Sequence, residues 1–374
     1  MATVGEISTW LDQFAPRELA AEWDNTGLLM GDPNDQVSSC ITCLTITPEV
    51  VREALEAPVQ LIVTHHPVLF RGTKNLSTNN SEGKLLWPLA KAGIAVYSPH
   101  TRFDNATGGI NDWIATQLQL QNIRPLRPAK RSAGYKIVVF VPTDHLELVA
   151  KALFQAGAGV IGDYEQCSFQ LSGTGTFFGT ESTSPVIGTK GQLERVSETR
   201  LEVVCPKHLL DKALRAMITA HPYEEVAYDV YPLAEISSTS VGEGRVGELP
   251  TGVLLGQFAA HVRQVLHAQL VQIVGQADRT VQKVAIACGA AGEFMRDAHR
   301  TGADLFLTGE MRFHDYLAAN ALGLALVLPG HYATERPAVE MLADRLRAAF
   351  PPVTCWASME ERDPVTAVDG KRLE

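Results

Sequence analysis

The chain has 374 residues, too many for one hydrophobic core, so two or three domains are expected. Hydrophobic residues make up 45% and charged residues 20%, the balance of an ordinary soluble globular protein, and no apolar run reaches membrane-spanning length. A formal net charge of −10 argues against nonspecific binding to nucleic acid or to an anionic membrane, since both need a basic surface, though it leaves room for a local phosphate pocket.

No signal peptide is read at the start. Ile7, Trp10, Leu11 and Phe14 recur at helical spacing and predict a first core-facing helix. Glu22-Trp23-Asp24-Asn25-Thr26-Gly27-Leu28 follows, a polar stretch read either as a substrate-pocket wall or as a turn with an Asx motif. A strand is expected over 41–46. Cys40 and Cys43 form a C-x-x-C within the strand-like run Cys40-Ile41-Thr42-Cys43-Leu44, a setting that favours small core filler over a redox or zinc pair. Six cysteines in a chain of this length make no disulfide framework, and a reducing cytoplasm is the expected compartment.

The spacing then predicts a helix over 48–56, a strand over 61–64, a helix over 83–92, a strand over 94–97 and a helix over 110–118. Such alternation implies a mostly parallel sheet with helices on both faces. Residues 122–128, with Pro125 and Pro128, read as a linker. Over 131–236 the character changes to a faint repeat of strand, proline, helix and strand. The first half is built around 135–142 and the second around 201–206, which together suggest a ferredoxin-like βαββαβ unit. Gly173-Thr174-Gly175-Thr176-Phe177-Phe178-Gly179 is read as a β-turn between strands, because no helix and no Gly-Lys-Ser/Thr follows. His221-Pro222-Tyr223-Glu224-Glu225 is ambiguous, with His221 a loop or interface residue rather than a ligand. From 237 to 374 alternation returns: helix 257–266, strand 284–287, helix 294–300, strand 305–308, helix 316–321, strand 324–328 and a helix over about 335–349. His261, His267 and His299 sit on helical patterns and read as surface residues. The expected fold is therefore α/β: two similar halves with mostly parallel sheets, 1–130 and 237–374, and an inserted ferredoxin-like domain at 131–236.

Chemistry gathers where buried strands end, as it does in open α/β sheets. Leu61-Ile62-Val63-Thr64 runs into His65-His66-Pro67; the strand at 94–97 runs into His100-Thr101-Arg102-Phe103-Asp104. Glu310 and His314 follow the strand at 305–308, and His331 and Glu335 follow the strand at 324–328. Four strand ends bearing ligand-type side chains, in a chain with eleven histidines, point to a shared metal site rather than to strand capping or surface decoration. Adjacent strand residues point to opposite faces, so the rings of His65 and His66 are expected to diverge, which suits two ions better than one, with Asp104 or Glu335 as a bridge. Pro337 belongs in a first helical turn, so Thr334 is a candidate cap that would leave His331 in the preceding loop. The ligand set is nitrogen and oxygen without cysteine. It leaves positions open for water or substrate, and it does not choose among zinc, manganese, iron and cobalt.

Trp23-Asp24-Asn25-Thr26-Gly27, Thr64-His65-His66-Pro67, His100-Thr101-Arg102-Phe103-Asp104, Gly108-Gly109, Thr308-Gly309-Glu310 and Gly330-His331-Tyr332-Ala333-Thr334-Glu335 together resemble the Nif-three-like proteins, also labelled GTP cyclohydrolase I type 2 homologues. The resemblance covers nearly the whole chain. It implies two divalent ions held by His65, His66, Asp104, His331 and Glu335, a toroidal homohexamer, and an insert similar to PII and CutA folds. One departure is Thr45, where the family often has Asp. The activity implied is that of a metal-dependent hydrolase in which metal-bound hydroxide attacks C8 of GTP, with His100, Glu310 or His314 as candidates to move protons. A phosphoesterase at the same paired ions, and a non-enzymatic metal-binding or regulatory scaffold, are the competing readings.

Overall fold

The computed structural model describes residues 2–131, 134–162, 164–234 and 236–367. The chain falls into two compact units, one made of 1–129 and 238–374, the other of 130–237.

The first unit holds two large sheets and a small two-stranded pairing of Ala2–Thr3 with Gln36–Val37. Its opening helix, Val4–Phe14, is fixed by a capping box: Thr3 Oγ1 accepts from Glu6 N–H while Glu6 Oε2 accepts from Thr3 N–H. Ile7 and Leu11 point into the core. The first large sheet runs Thr354–Ala357, Ser39–Cys43, Leu61–Thr64, Ala95–Ser98, Gly27–Met30. Its first four strands are parallel and only Gly27–Met30 is antiparallel. Ser39–Cys43, Leu61–Thr64 and Ala95–Ser98 are buried at every position, which explains their continuous apolar runs. Cys40 and Cys43 are buried strand residues and fill core space.

The second large sheet is mixed rather than mostly parallel. Thr280–Ile286, Leu305–Leu307 and Ala325–Leu328 are parallel neighbours, but Gln272–Val274 joins one side antiparallel and Ile236–Leu254 joins the other antiparallel. The expected linker at 122–128 is in fact part of a strand, Gln121–Arg131, at the edge of this sheet. Pro125 and Pro128 are tolerated there because an edge strand has a free side on which no N–H is needed. One hydrophobic core joins both sheets, from Ile7, Leu61 and Tyr97 to Val284, Leu305 and Val327.

The second unit is an antiparallel four-stranded sheet in the order Tyr228–Pro232, Tyr135–Pro142, Leu193–Cys205, Ser168–Phe178. Ile137, Val139, Leu201 and Val203 pack against Val149, Leu153, Ala213 and Met217 of helices Leu146–Gln155 and Leu210–Ala220. The run from Gly173 to Phe178 is strand, not turn: Gly173 pairs with Glu198 and Gly175 with Val196. Gly175 leaves room for the Glu198 side chain of the partner strand instead of serving a chain reversal. Among the described residues no helix is long and apolar enough to cross a membrane.

Candidate metal centre

All the strand ends singled out above lie in the unit made of 1–129 and 238–374, at the carboxyl ends of its two parallel sets. Beyond Thr64 the chain bends while His65 N–H and His66 N–H still donate to the carbonyls of Cys43 and Leu44 at 2.9 and 2.7 Å. Thr64 Oγ1 closes the bend by donating to the His66 carbonyl at 3.1 Å. The two rings therefore converge rather than diverge, with centroids 5.2 Å apart, because alternation lapses once the strand has ended. His66 Nε2 lies 3.0 Å and His65 Nε2 3.8 Å from Glu335 Oε2.

His331 and Glu335 occupy one short helix, His331–Glu335, so the placement of His331 in a loop is corrected. Thr334 does not cap the next helix. Its hydroxyl donates to the His331 carbonyl and accepts from Gly289 N–H, which locks the short helix against the neighbouring strand end. The turn spacing brings His331 Nε2 within 3.0 Å of Glu335 Oε2. One carboxylate oxygen thus gathers three imidazoles. Asp104, from helix Thr101–Asn105, completes the cluster with Oδ1 at 3.6 Å from His65 Nε2. Three triads each bring ligand atoms within 4.8 Å of one another and could hold a metal ion: His65, His66 and His100; His66, His331 and Glu335; His65, Asp104 and Glu335.

The electrostatics match a cation site. Burial holds His65 well below the ordinary imidazole value, so it is the neutral, ligating form. Burial, reinforced by the Glu335 charge, pushes Asp104 up to about 7. Burial also acts upward on Glu335, but hydrogen bonds with His331 and His66 win and hold its carboxyl well below the usual range. Against its own burial, His331 is pushed up to about 9 by the hydrogen bond and charge of Glu335.

His100 sits beside the cluster, its ring 5.3 Å from that of His65. Asp24 Oδ1 accepts from His100 Nδ1 at 2.6 Å, and its other oxygen accepts from Thr101 N–H and the Thr101 hydroxyl. The Asp24 carboxylate is fully buried. The polar stretch at 22–28 is therefore both turn and cavity wall: Asp24 Oδ1 also accepts from Asn25 N–H, while Trp23 lines the cavity. His100 has φ 36° and ψ −124°, a strained conformation for a residue with a Cβ, costing about 1–3 kcal/mol.

Glu310 Oε1 accepts from His331 Nδ1 at 3.0 Å, so it orients a cluster residue. His314 does not join them. It is exposed on helix Phe313–Ala321, where its described ring contact is with Phe313. His221 is buried in the other unit, hydrogen-bonded to the Phe140 carbonyl, while His261, His267 and His299 are exposed.

Two further neighbours of the cluster are Cys288, which no motif marked, and Thr45, the position noted above as a departure. Cys288 Sγ donates to Asp104 Oδ1 at 3.2 Å. It follows a strand end, the same signal that marked the other positions. Thr45 Oγ1 is 2.7 Å from His66 Nδ1. A cavity of about 360 Å³ opens beside the cluster, lined by Trp23, Phe70, His100, Cys288 and His331 among others.

The model of the Duf34/NIF3 (NGG1p interacting factor 3) family matches residues 2–364. A Bacillus subtilis (strain 168) protein named GTP cyclohydrolase 1 type 2 homolog is 42% identical over 328 residues, 88% of each chain. A crystal structure of a Bacillus cereus protein related to NIF3 is 40% identical, with a TM-score of 0.70, covering 98% of this chain and 99% of that one. A Staphylococcus aureus protein of known structure, 28% identical, superposes with a TM-score of 0.78 over 98% of this chain and 99% of its own.

Proposed function

The chain belongs to the Duf34/NIF3 family, and from that premise we propose that it is a hydrolase that uses two divalent metal ions and acts on a nucleotide, with GTP the first candidate. The observation that carries this reading is His65. Its side chain is 2% exposed, yet neither ring nitrogen has a hydrogen-bond partner. A buried imidazole left so is costly unless something else takes its lone pair. It stands among His66, Asp104 and Glu335, a donor set of nitrogen and oxygen that fits a divalent cation.

His65, His66, Asp104, His331 and Glu335 would hold the ions, with the two carboxylates placed to be shared. When bound, paired ions acidify water and stabilise charge that develops in the reaction. The chain's own residues do the rest. Asp24 holds the proton of His100 on Nδ1, which leaves Nε2 free to take or give a proton at the cavity. Glu310 fixes the orientation of His331. Trp23 and Phe70, whose rings stand 5.9 Å apart, put apolar surface at the cavity rim where a planar base would rest. The GTP assignment draws on the relatives' name.

The same proposal includes a homohexamer in the cytoplasm and a ferredoxin-like module, similar to PII and CutA folds, at 131–236. The strand order of that unit, fourth, first, third, second, supports the last point. Metal analysis followed by GTP turnover in the metal-loaded protein tests the core of the reading. Ring-opened product that disappears in His65→Ala is expected; no such product, with His65→Ala indistinguishable, sinks the cyclohydrolase. Turnover of a generic phosphodiester that His331→Ala abolishes would move the assignment to a phosphoesterase. Metal bound with neither activity would leave the scaffold. Sedimentation at a mass of six chains is expected for the assembly.

A further inference from the structure

Beyond the last helix, the strand Thr354–Ala357 runs into a turn from Ser358 to Glu361 that no sequence motif marks. Glu53, on helix Pro48–Glu56, holds this turn. Its carboxylate accepts from Trp356 Nε1 at 3.2 Å, from Met359 N–H at 3.1 Å and from the Ser358 hydroxyl. Ser358 N–H donates to the Thr42 carbonyl at 2.7 Å, and Ser358 Oγ accepts from Glu361 N–H at 3.2 Å. The turn thereby delivers the Glu361 side chain, 3% exposed, to the end of strand Ser39–Cys43.

That strand end has donors to satisfy. Its carbonyls at Cys43 and Leu44 take His65 N–H and His66 N–H from one neighbour, but the neighbour on the other side stops at Ala357. Leu44 N–H and Thr45 N–H would be left without ladder partners. Glu361 stands in for the missing strand: Oε2 accepts from Leu44 N–H at 2.9 Å and Oε1 from Thr45 N–H at 2.6 Å. The same carboxylate lies 3.0 Å from Arg336 Nε, and Arg336 Nη2 donates to the Ser358 carbonyl at 2.8 Å. Arg336 directly follows Glu335 at the end of the short helix. The hydroxyl of Tyr332, the residue after His331, donates to the Glu361 carbonyl at 3.4 Å.

We propose that Glu361 is a positioning residue that braces both sides of the metal centre at once. Through Leu44 and Thr45 it fixes the carbonyl that takes His66 N–H and the hydroxyl that stands against His66 Nδ1. Through Arg336 it fixes the end of the helix that carries His331 and Glu335. The inference rests on the reading of the histidine cluster as a metal site, and not on the substrate assigned to that site. Only an ionised carboxylate suits the place: it accepts on both oxygens, whereas an amide would turn N–H against one of the three donors.

Cobalt titration of the chelator-stripped, full-length protein tests this, read by the visible absorption of the bound ion and by competition with a chelator. Glu361→Gln should weaken cobalt binding by about tenfold or more and shift the absorption band. Arg336→Lys keeps the charge but loses the fork that reaches Ser358, so it should shift the band the same way by a smaller amount. Val353→Ala truncates a buried side chain just before the same strand and lowers stability alone; its affinity and band should match the wild type. Thr45→Val and Glu361→Gln combined should lose less than the sum of their separate losses, since both act on His66. A wild-type affinity and band in Glu361→Gln would overturn the proposal. If Glu361→Gln does not fold, an unchanged band in Arg336→Lys does so instead. Equal losses in Val353→Ala, or strictly additive losses in the double variant, would overturn it as well. Wild-type protein that binds no cobalt would overturn the metal reading itself, and this inference with it.

Discussion

Thr45 Oγ1 lies 2.7 Å from Nδ1 of His66, on the side of the ring opposite the nitrogen that faces Glu335. The threonine at this position therefore keeps a polar group against the histidine: a hydroxyl stands where the resemblance leads one to expect a carboxylate. Groups that bind the far nitrogen of a metal-binding imidazole fix its orientation and basicity. Thr45→Val should weaken metal affinity by about 10–100-fold, and Thr45→Asp should restore or exceed the wild-type value. Competition with a chromophoric chelator measures both; an unchanged affinity in Thr45→Val would show that the hydroxyl is idle.

In chelator-stripped protein, the pair formed by His331 and Glu335 should make stability fall as the solution becomes alkaline. His331 is raised from about 6.5 in the unfolded chain to about 9 when folded. Its contribution is thus complete below pH 6.5 or so and is lost as pH rises through about 9. Urea midpoints at pH 6 and pH 9.5 should differ more in the wild type than in His331→Gln. Equal pH slopes in the two proteins would refute the assignment.

Asp24→Asn should leave metal content unchanged and lower turnover by about 10²-fold or more, since the amide no longer holds the His100 proton on Nδ1. Metal analysis and kinetics on one preparation separate the two effects. A loss of metal equal to the loss of rate would make Asp24 a support of the ligand set and not of the proton path.

Arg245 is 1% exposed and pairs with Asp112 while donating to the carbonyls of Gly242, Gly244, Asn105 and Ala106. It ties a strand of the mixed sheet to the end of the helix that carries Asp104. Arg245→Ala strands Asp112 and several carbonyls, with an expected cost of about 3–5 kcal/mol. Denaturant unfolding reads it; a loss below about 1 kcal/mol would mean that water replaces the guanidinium.

The strands feeding the cluster were legible because a strand covered on both faces must be continuously apolar, and Leu61–Thr64, Ala95–Ser98 and Ala325–Leu328 are buried at every position. Their ends announce themselves by the change to histidine, proline and glycine. The strand Gln121–Arg131 was hidden by its prolines, which mark a loop by local chemistry and an edge strand by tertiary position. The convergence of His65 and His66 was equally hidden, since strand alternation stops applying at the residue where the site begins. The pairing of His100 with Asp24 spans 76 residues and depends on a positive φ at His100 that no composition rule reports. His314 shows the reverse case: ligand-type chemistry near a strand end, turned outward by the helix that holds it.

His66 and Glu335 meet across 269 residues of chain, one from each large sheet's set of strand ends. An ion held between them would act as a crosslink with a very long loop, so loading should slow the opening of both sheets together. In hydrogen exchange, amides of Leu61–Thr64 and of Ala325–Leu328 would then gain protection in step when metal is added, and lose it in step when a chelator takes it away.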